Sequence, residues 1–267
     1  MKINVLVDNN TYIDVYYLGE PAVSYYVEDG DTKILFDTGY SDAFLRNAEG
    51  MGINLERVDK LVLSHGHIDH TNGLRYYMTK KRDIDILGCP TVFDPREFDN
   101  GEAIGSPLGE EEMRQLGRVS LSAKPCKVSE HTTFLGEIPT LFDFEKRYRI
   151  GKIVKYGRET DDYLFDDSAM VYQSDEGLFI ITGCSHSGIC SIIEYAKEVC
   201  RDDRVIGVLG GFHLFEEDER TRKTIEYLKA NRIGLLYPCH CVSLPVKAEM
   251  AKELDIREVG VGLEITL

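Results

Sequence analysis

The sequence predicts an α/β fold, on three observations. Short apolar runs of strand length alternate with stretches of helical pattern. The runs are bounded by Gly, Asp, Asn and Ser, the residues that turn a chain. Several runs also end in a histidine, and the carboxyl ends of strands are where open α/β sheets place their chemistry.

A chain of 267 residues with 43% hydrophobic and 29% charged residues suits a soluble globular protein able to bury a sizeable core. One domain spanning 1–267 is expected. There is no apolar run of membrane length, and Met1–Asp8 reads as a short strand without the apolar centre of a signal peptide. Seven cysteines without framework spacing favour free thiols and a cytoplasmic location. A net charge of −15 disfavours nucleic acid as a partner.

Taken in order, 3–8, about 22–28 and Lys33–Phe36 are expected strands, the third ending in Asp37-Thr38-Gly39. Ser41 to about Glu49 is an expected helix with Ser41 as its N-cap. Asp59–Leu63 is a buried strand, about 71–80 a helix, and Ile84–Leu87 a returning strand. From 89 to about 160 the pattern is least regular. A structureless loop of that length is improbable, so the stretch is expected to be an insertion with its own elements, near the site or at a dimer contact. It contains His131, which suits an ordinary structural histidine better than a ligand. Beyond 168, Ser168–Tyr172 and Gly177–Ile181 pair across the turn Ser174–Gly177. A helix follows from Ile189 to about Val199, with Cys190 and Cys200 on its core face. The remaining elements are a strand at Val205–Leu209, a helix from Glu217 to about Lys229, a strand at Ile233–Tyr237, a helix from about Pro245 to Leu254, and a closing strand at Val261–Leu267.

Ser64-His65-Gly66-His67-Ile68-Asp69-His70 lies between the strand at 59–63 and the helix after it. His65 and His67, two apart in extended chain, point the same way, and Asp69 and His70 follow where the chain turns. That exceeds the three or four protein ligands of an ordinary metal site, so the cluster suggests two metals, His65 and His67 on one and Asp69 and His70 on the other. The competing reading is a polar turn whose histidines bond water. Against it, three of the chain's seven histidines fall within six residues. Three later strands end in His186, His213 and His240, which repetition is hard to explain as packing.

His-x-His-x-Asp-His resembles the signature of the metallo-β-lactamase superfamily. The resemblance implies a four-layer αββα sandwich holding a mono- or dinuclear site. Asp37-Thr38-Gly39 is similar to that family's first motif, in which the Asp supports the metal loop from behind the ligands. Gly183-Cys184-Ser185-His186-Ser187-Gly188, Gly210-Gly211-Phe212-His213-Leu214 and Cys239-His240-Cys241 resemble the branch related to dihydropterin–ribofuranosylaminobenzene phosphate synthases, often named metal-dependent hydrolases. Carried over, the ligands are His65, His67, Asp69, His70, His186 and His240. The family's bridging aspartate often follows Thr-Gly; here either Cys184 takes that place as a further ligand, or the site lacks the bridge and His186 serves from nearby. His213 is expected to contact substrate as the partner of a phosphate or oxyanion, with a core histidine as the alternative. Two departures bear on the substrate: Cys241-Val242-Ser243 replaces Cys-Thr-Gly, and Thr140 replaces the arginine of Glu-Ile-Pro-Arg, removing a bidentate anion contact.

The expected function is that of a metal-dependent hydrolase. Hydroxide generated on a metal held by His65, His67 and His186 attacks a small anionic substrate such as a phosphoester or lactone. A second metal at Asp69, His70 and His240 steadies the developing charge, and Asp69 orients the nucleophile. The alternative is a synthase-like transferase using the same cage. Two Zn2+ per chain are the expected cofactors, with Mn2+ or Fe as alternatives. A di-iron redox protein would need further carboxylates and a flavin domain, and a purely metal-binding module would not need so complete a ligand set. No Cys-x-x-Cys pair supports an iron–sulfur site. No membrane partner is expected, while a homo-oligomer is compatible with the sequence.

Overall fold

The computed structural model describes residues 1–80, 83–155 and 157–267. In chain order its elements are β1 (Lys2–Val7), β2 (Ser24–Asp29), β3 (Thr32–Phe36), α1 (Ala43–Gly50), β4 (Lys60–Val62), α2 (Ile68–Thr71), α3 (Leu74–Tyr77), β5 (Ile84–Gly88), β6 (Arg96–Glu97), α4 (Glu110–Arg114), β7 (Gly117–Leu121), β8 (Cys126–Lys127), β9 (Thr132–Phe134), β10 (Gly151–Lys155), β11 (Arg158–Asp162), β12 (Ala169–Gln173), β13 (Leu178–Thr182), α5 (Ile189–Cys200), β14 (Val205–Gly210), α6 (Glu219–Ala230), β15 (Leu235–Pro238), α7 (Leu244–Glu253) and β16 (Glu264–Thr266). They form two compact units. The first is Met1–Ala123, Tyr148–Asp166 and Gly260–Leu267; the second is Lys124–Arg147 and Asp167–Val259.

The first unit is built on a seven-stranded sheet of order β16-β1-β2-β3-β4-β5-β7. β16, β1, β2 and β3 pair antiparallel, and β3, β4, β5 and β7 run parallel. Residues 3–7 of β1 are buried one after another, as in a strand covered on both faces. α1 turns Ala43, Phe44 and Ala48 inward, and the Phe44 and Tyr77 rings meet edge to face at 6.0 Å between centroids. Phe36, Val62 and Leu87 lie in register, so β3, β4 and β5 end side by side. A small antiparallel sheet, β11-β10-β6, completes the unit.

The second unit repeats the plan on a six-stranded sheet of order β15-β14-β13-β12-β9-β8. β13, β14 and β15 are parallel, and the others antiparallel. Every residue of β13 is buried, as befits a central strand. α5 covers the sheet with Ile189, Ile192, Ile193 and Ala196, a helical stripe of one face. Ile181, Leu209 and Tyr237 are in register, so these three strands also end together.

The structure departs from the sequence expectations at three places. The helix expected from Ser41 starts at Ala43 with Asp42 as its N-cap residue; the Ser41 hydroxyl instead accepts the Ala43 N–H at 3.1 Å. The helix expected over 71–80 is two short ones, α2 and α3, separated at Asn72-Gly73. The break lies where the chain passes close to β3's continuation. A Cβ on residue 73 would stand 2.0 Å from the Thr38 carbonyl oxygen, so only glycine fits. The stretch 89–160 does not stay together as an insertion. β7 extends the seven-stranded sheet, β8 and β9 extend the six-stranded sheet, and β6, β10 and β11 make the small one; position 156 lies outside the described residues. β7 and β9 find hydrogen-bond partners on the edge strands β5 and β12, and β6, β10 and β11 pair with one another, matches that local pattern does not encode.

Candidate functional site

In the first unit the ligand-bearing turn is organised by Asp37. Its φ of 56° is left-handed, a conformation that aspartate tolerates better than most residues, and it turns the chain at the end of β3. The fully buried carboxylate accepts the Ser64 N–H at 2.8 Å and the Ser64 hydroxyl at 2.7 Å, and bonds His70 Nδ1 at 2.7 Å. A carboxylate only accepts, so the proton between them belongs to His70 Nδ1. The Ser64 hydroxyl, having given its proton to Asp37, accepts from His65 Nδ1 at 2.9 Å. Both imidazoles are therefore held in the tautomer whose Nε2 carries a lone pair, the arrangement by which metal-binding histidines are oriented. Thr38 fastens the other side, its N–H and hydroxyl both donating to the His70 carbonyl at 2.8 and 3.1 Å.

The rings converge. His65 lies 4.8 Å from His67 and 4.2 Å from His70 between centroids, and Asp69 Oδ2 is 3.5 Å from His70 Nε2. Burial pushes the His67 imidazole down to about 3, against the pull of Asp69, so it is a neutral base at ordinary pH. Gly66 lies between the two histidines, where a Cβ would meet the Val92 carbonyl oxygen at 2.3 Å.

In the second unit three neighbouring strands each deliver one histidine. His186 follows β13, His213 follows β14 and His240 follows β15. Ser185, His213 and His240 have φ of 59°, 51° and 51°, so all three strand ends turn through the left-handed region at non-glycine residues. Such strain persists only where the surroundings hold it, and it gathers at functional sites. The Ser185 hydroxyl helps by donating to the Gly211 carbonyl at 2.6 Å, tying the end of β13 to the end of β14. His240 Nε2 faces Cys184 Sγ at 3.2 Å. The His213 ring lies between His186, 4.2 Å away, and the half-exposed Phe215, 4.7 Å away and nearly perpendicular.

Each unit thus gathers its share of the expected residues: His65, His67, Asp69, His70 and Asp37 in one, Cys184, His186, His213 and His240 in the other. His131 is not among them; it is half-exposed with its ring edge-on to Tyr172. Cys190 is buried in the second unit's core, and Cys200 packs against that core. Sequence reasoning missed the carboxylates behind the loops. Asp166 accepts the Gly66 N–H at 2.8 Å, Asp167 accepts the Ser187 N–H at 2.8 Å, and Glu145 accepts the N–H groups of Cys190 and Ser191 at the start of α5. In a chain with 46 acidic residues, three buried ones carry no local mark.

The donor chemistry fits a divalent transition metal. The donors are imidazoles, two of them (His65 and His70) held with an Nε2 lone pair, together with one carboxylate and one thiol.

Comparison with known proteins places this geometry among relatives. Residues 18–95 match the family profile of the metallo-beta-lactamase superfamily. The chain is 32% identical to a 7,8-dihydropterin-6-methyl-4-(beta-D-ribofuranosyl)-aminobenzene-5'-phosphate synthase of Methanocaldococcus jannaschii, over 93% of this chain and 89% of that one. It is 27% identical to an uncharacterized protein of the same archaeon, over 94% of each. Among solved structures, a metal-dependent hydrolase of the beta-lactamase superfamily superposes with a TM-score of 0.86 at 26% identity, covering 100% of this chain and 99% of that one.

Proposed function

Because the chain belongs to the metallo-beta-lactamase superfamily and has its fold, we propose that it is a metal-dependent enzyme acting on a small anionic substrate, with hydrolysis as its reaction. The observation that carries this reading is the wiring of His65 and His70 to Asp37, which presents two Nε2 lone pairs from one buried turn. A turn needed only for packing has no use for two fully buried histidines and a third partly buried beside them, with a buried carboxylate behind.

In this reading His65, His67 and His186 hold one ion, and Asp69, His70 and His240 hold a second, with Cys184 beside His240. Zinc is the first choice for these donors, manganese and iron the next. Bound ions of this kind supply Lewis acidity and bring the pKa of water down to about 7. The chain's own residues do the rest. Asp69 accepts a hydrogen bond from the attacking nucleophile and aims it. His213 donates to an anionic oxygen of the substrate, its ring fixed between His186 and Phe215. The net charge of −15 supports a small-molecule substrate over nucleic acid, and the setting in this reading is cytoplasmic. Among the described residues no helix is long and apolar enough to cross a membrane.

A second reading, a synthase-like transferase, is supported by the 32% identity to a synthase along nearly the whole chain. Thr140 in place of an arginine argues for a different substrate from that enzyme's.

The test begins with elemental analysis of protein purified without added metal, beside His67→Ala. About two ions per chain, lost in the variant, support the dinuclear reading. No metal even after reconstitution sinks it. Loaded enzyme is then assayed on phosphoesters, lactones and pterin pyrophosphates in 18O-water. Label in the product marks hydrolysis; pyrophosphate release that requires an added acceptor marks transfer.

A further inference from the structure

Asp166 and Asp167 are consecutive, fully buried and outside the expected ligand set. Each touches a ligand-bearing loop within its own unit, and each does so in the same way. Asp166 Oδ2 accepts the N–H of Gly66, the residue after His65, at 2.8 Å. Asp167 Oδ2 accepts the N–H of Ser187, the residue after His186, at 2.8 Å, and the Ser187 hydroxyl as well. Holding the peptide that follows a histidine fixes that residue's ψ, and with it the direction in which the imidazole leaves the chain.

Asp166 is itself part of a buried ion cluster. Its Oδ1 takes Arg96 Nη2 at 2.7 Å, and Arg96 is in turn held by Asp162, 3.0 Å from Nε, and by the Thr91 carbonyl at 3.0 Å. A buried ion cluster of this kind is seldom the most stable solution, and a neutral acceptor would fix a peptide N–H equally well. An ionised carboxylate adds a stronger, shorter bond, and negative charge close behind the donors.

We propose that Asp166 and Asp167 are paired positioning residues, one for each histidine loop, and that together they set the affinity of the site for its metal. The proposal rests on the metal-enzyme reading above.

Cobalt(II) is the probe, titrated into metal-free protein in competition with a chromophoric chelator, with its visible spectrum recorded. The proteins are wild type, Asp166→Asn, Asp167→Asn and Asp162→Asn. The last loses an Arg96 contact but touches no ligand loop. Asn keeps an acceptor and removes the carboxylate. Asp166→Asn and Asp167→Asn are expected to bind cobalt about 10–100-fold more weakly, as loss of such outer supports does, with an altered spectrum. Asp162→Asn is expected to stay close to wild type. Should the Asn variants fail to fold, Arg96→Lys and Ser187→Ala carry the test, each weakening one support, with a smaller loss in the same direction. Folded variants with wild-type affinity and spectrum overturn the proposal. So does an equal loss in Asp162→Asn, which marks a general effect of the ion cluster. A wild type that binds no cobalt overturns the metal-enzyme reading itself.

Discussion

The two units share a plan but differ in how each collects its polar groups. The first draws His65, His67, Asp69 and His70 from a single turn, and one residue, Asp37, ties three groups of that turn together. The second draws Cys184, His186, His213 and His240 from three strand ends, each turned by its own left-handed residue and held by different neighbours. The first arrangement concentrates its dependence on one carboxylate. The second spreads it over a sheet whose parallel register already sets the strand ends side by side. A single substitution should therefore damage the first collectively and the second one residue at a time.

The largest expected effect comes from Asp37→Ala. It strands the Ser64 N–H, the Ser64 hydroxyl and the His70 Nδ1–H in a buried site, and should destabilise the metal-free protein by about 3–5 kcal/mol in urea unfolding. Asp167→Ala, in the second unit, removes the acceptor of Ser187 and of the adjacent His186 N–H but of no second imidazole, and should destabilise by about 1–3 kcal/mol. Equal losses would break the contrast between a hub and a distributed set.

Next come the histidines of the second unit, which should act separately. His186→Ala is expected to lose bound metal by elemental analysis. His213→Ala should retain metal and lose kcat/KM by about 10–100-fold, the worth of one charge-assisted contact to an anionic oxygen. Metal loss in His213→Ala would make it a ligand and join the three strand ends into one set.

The first unit should also show a pH signature. His67, held neutral down to about 3 by burial, takes up no proton in the folded state where the unfolded chain takes one up below about 6.5. The unfolded state therefore binds more protons across that interval. Stability of the metal-free protein is full above it and falls as the pH drops through it, with a slope of up to about 1.4 kcal/mol per pH unit from this group. Denaturation midpoints across pH, for wild type and His67→Gln, measure it; the variant should show the shallower slope.

The smallest effect belongs to His131→Ala. With its ring half-exposed beside Tyr172, it should change stability by less than about 0.5 kcal/mol and leave metal content alone.

By itself the sequence determined the α/β class, most of the strands, the crowded turn at 64–70 and the histidines at later strand ends. These are local or periodic signals: alternation of apolar runs, turn residues, and ligand types too closely spaced to arise as packing. Asp37 was legible too, because it sits in a strand-ending Asp-Thr-Gly. The tertiary structure alone decided the rest. The 71–80 helix is interrupted where the Gly73 N–H donates to the Gly39 carbonyl at 3.0 Å, far off in the chain, rather than within the helix. The stretch 89–160 divides among three sheets because the edges of β5 and β12 take up β7 and β9, while β6, β10 and β11 pair with one another. Asp166, Asp167 and Glu145 count as supports only because folding buries them against backbone N–H groups up to 100 residues away. A carboxylate's role depends on what it faces, and in an acidic chain no nearby residue distinguishes one that faces a peptide N–H from one that faces water.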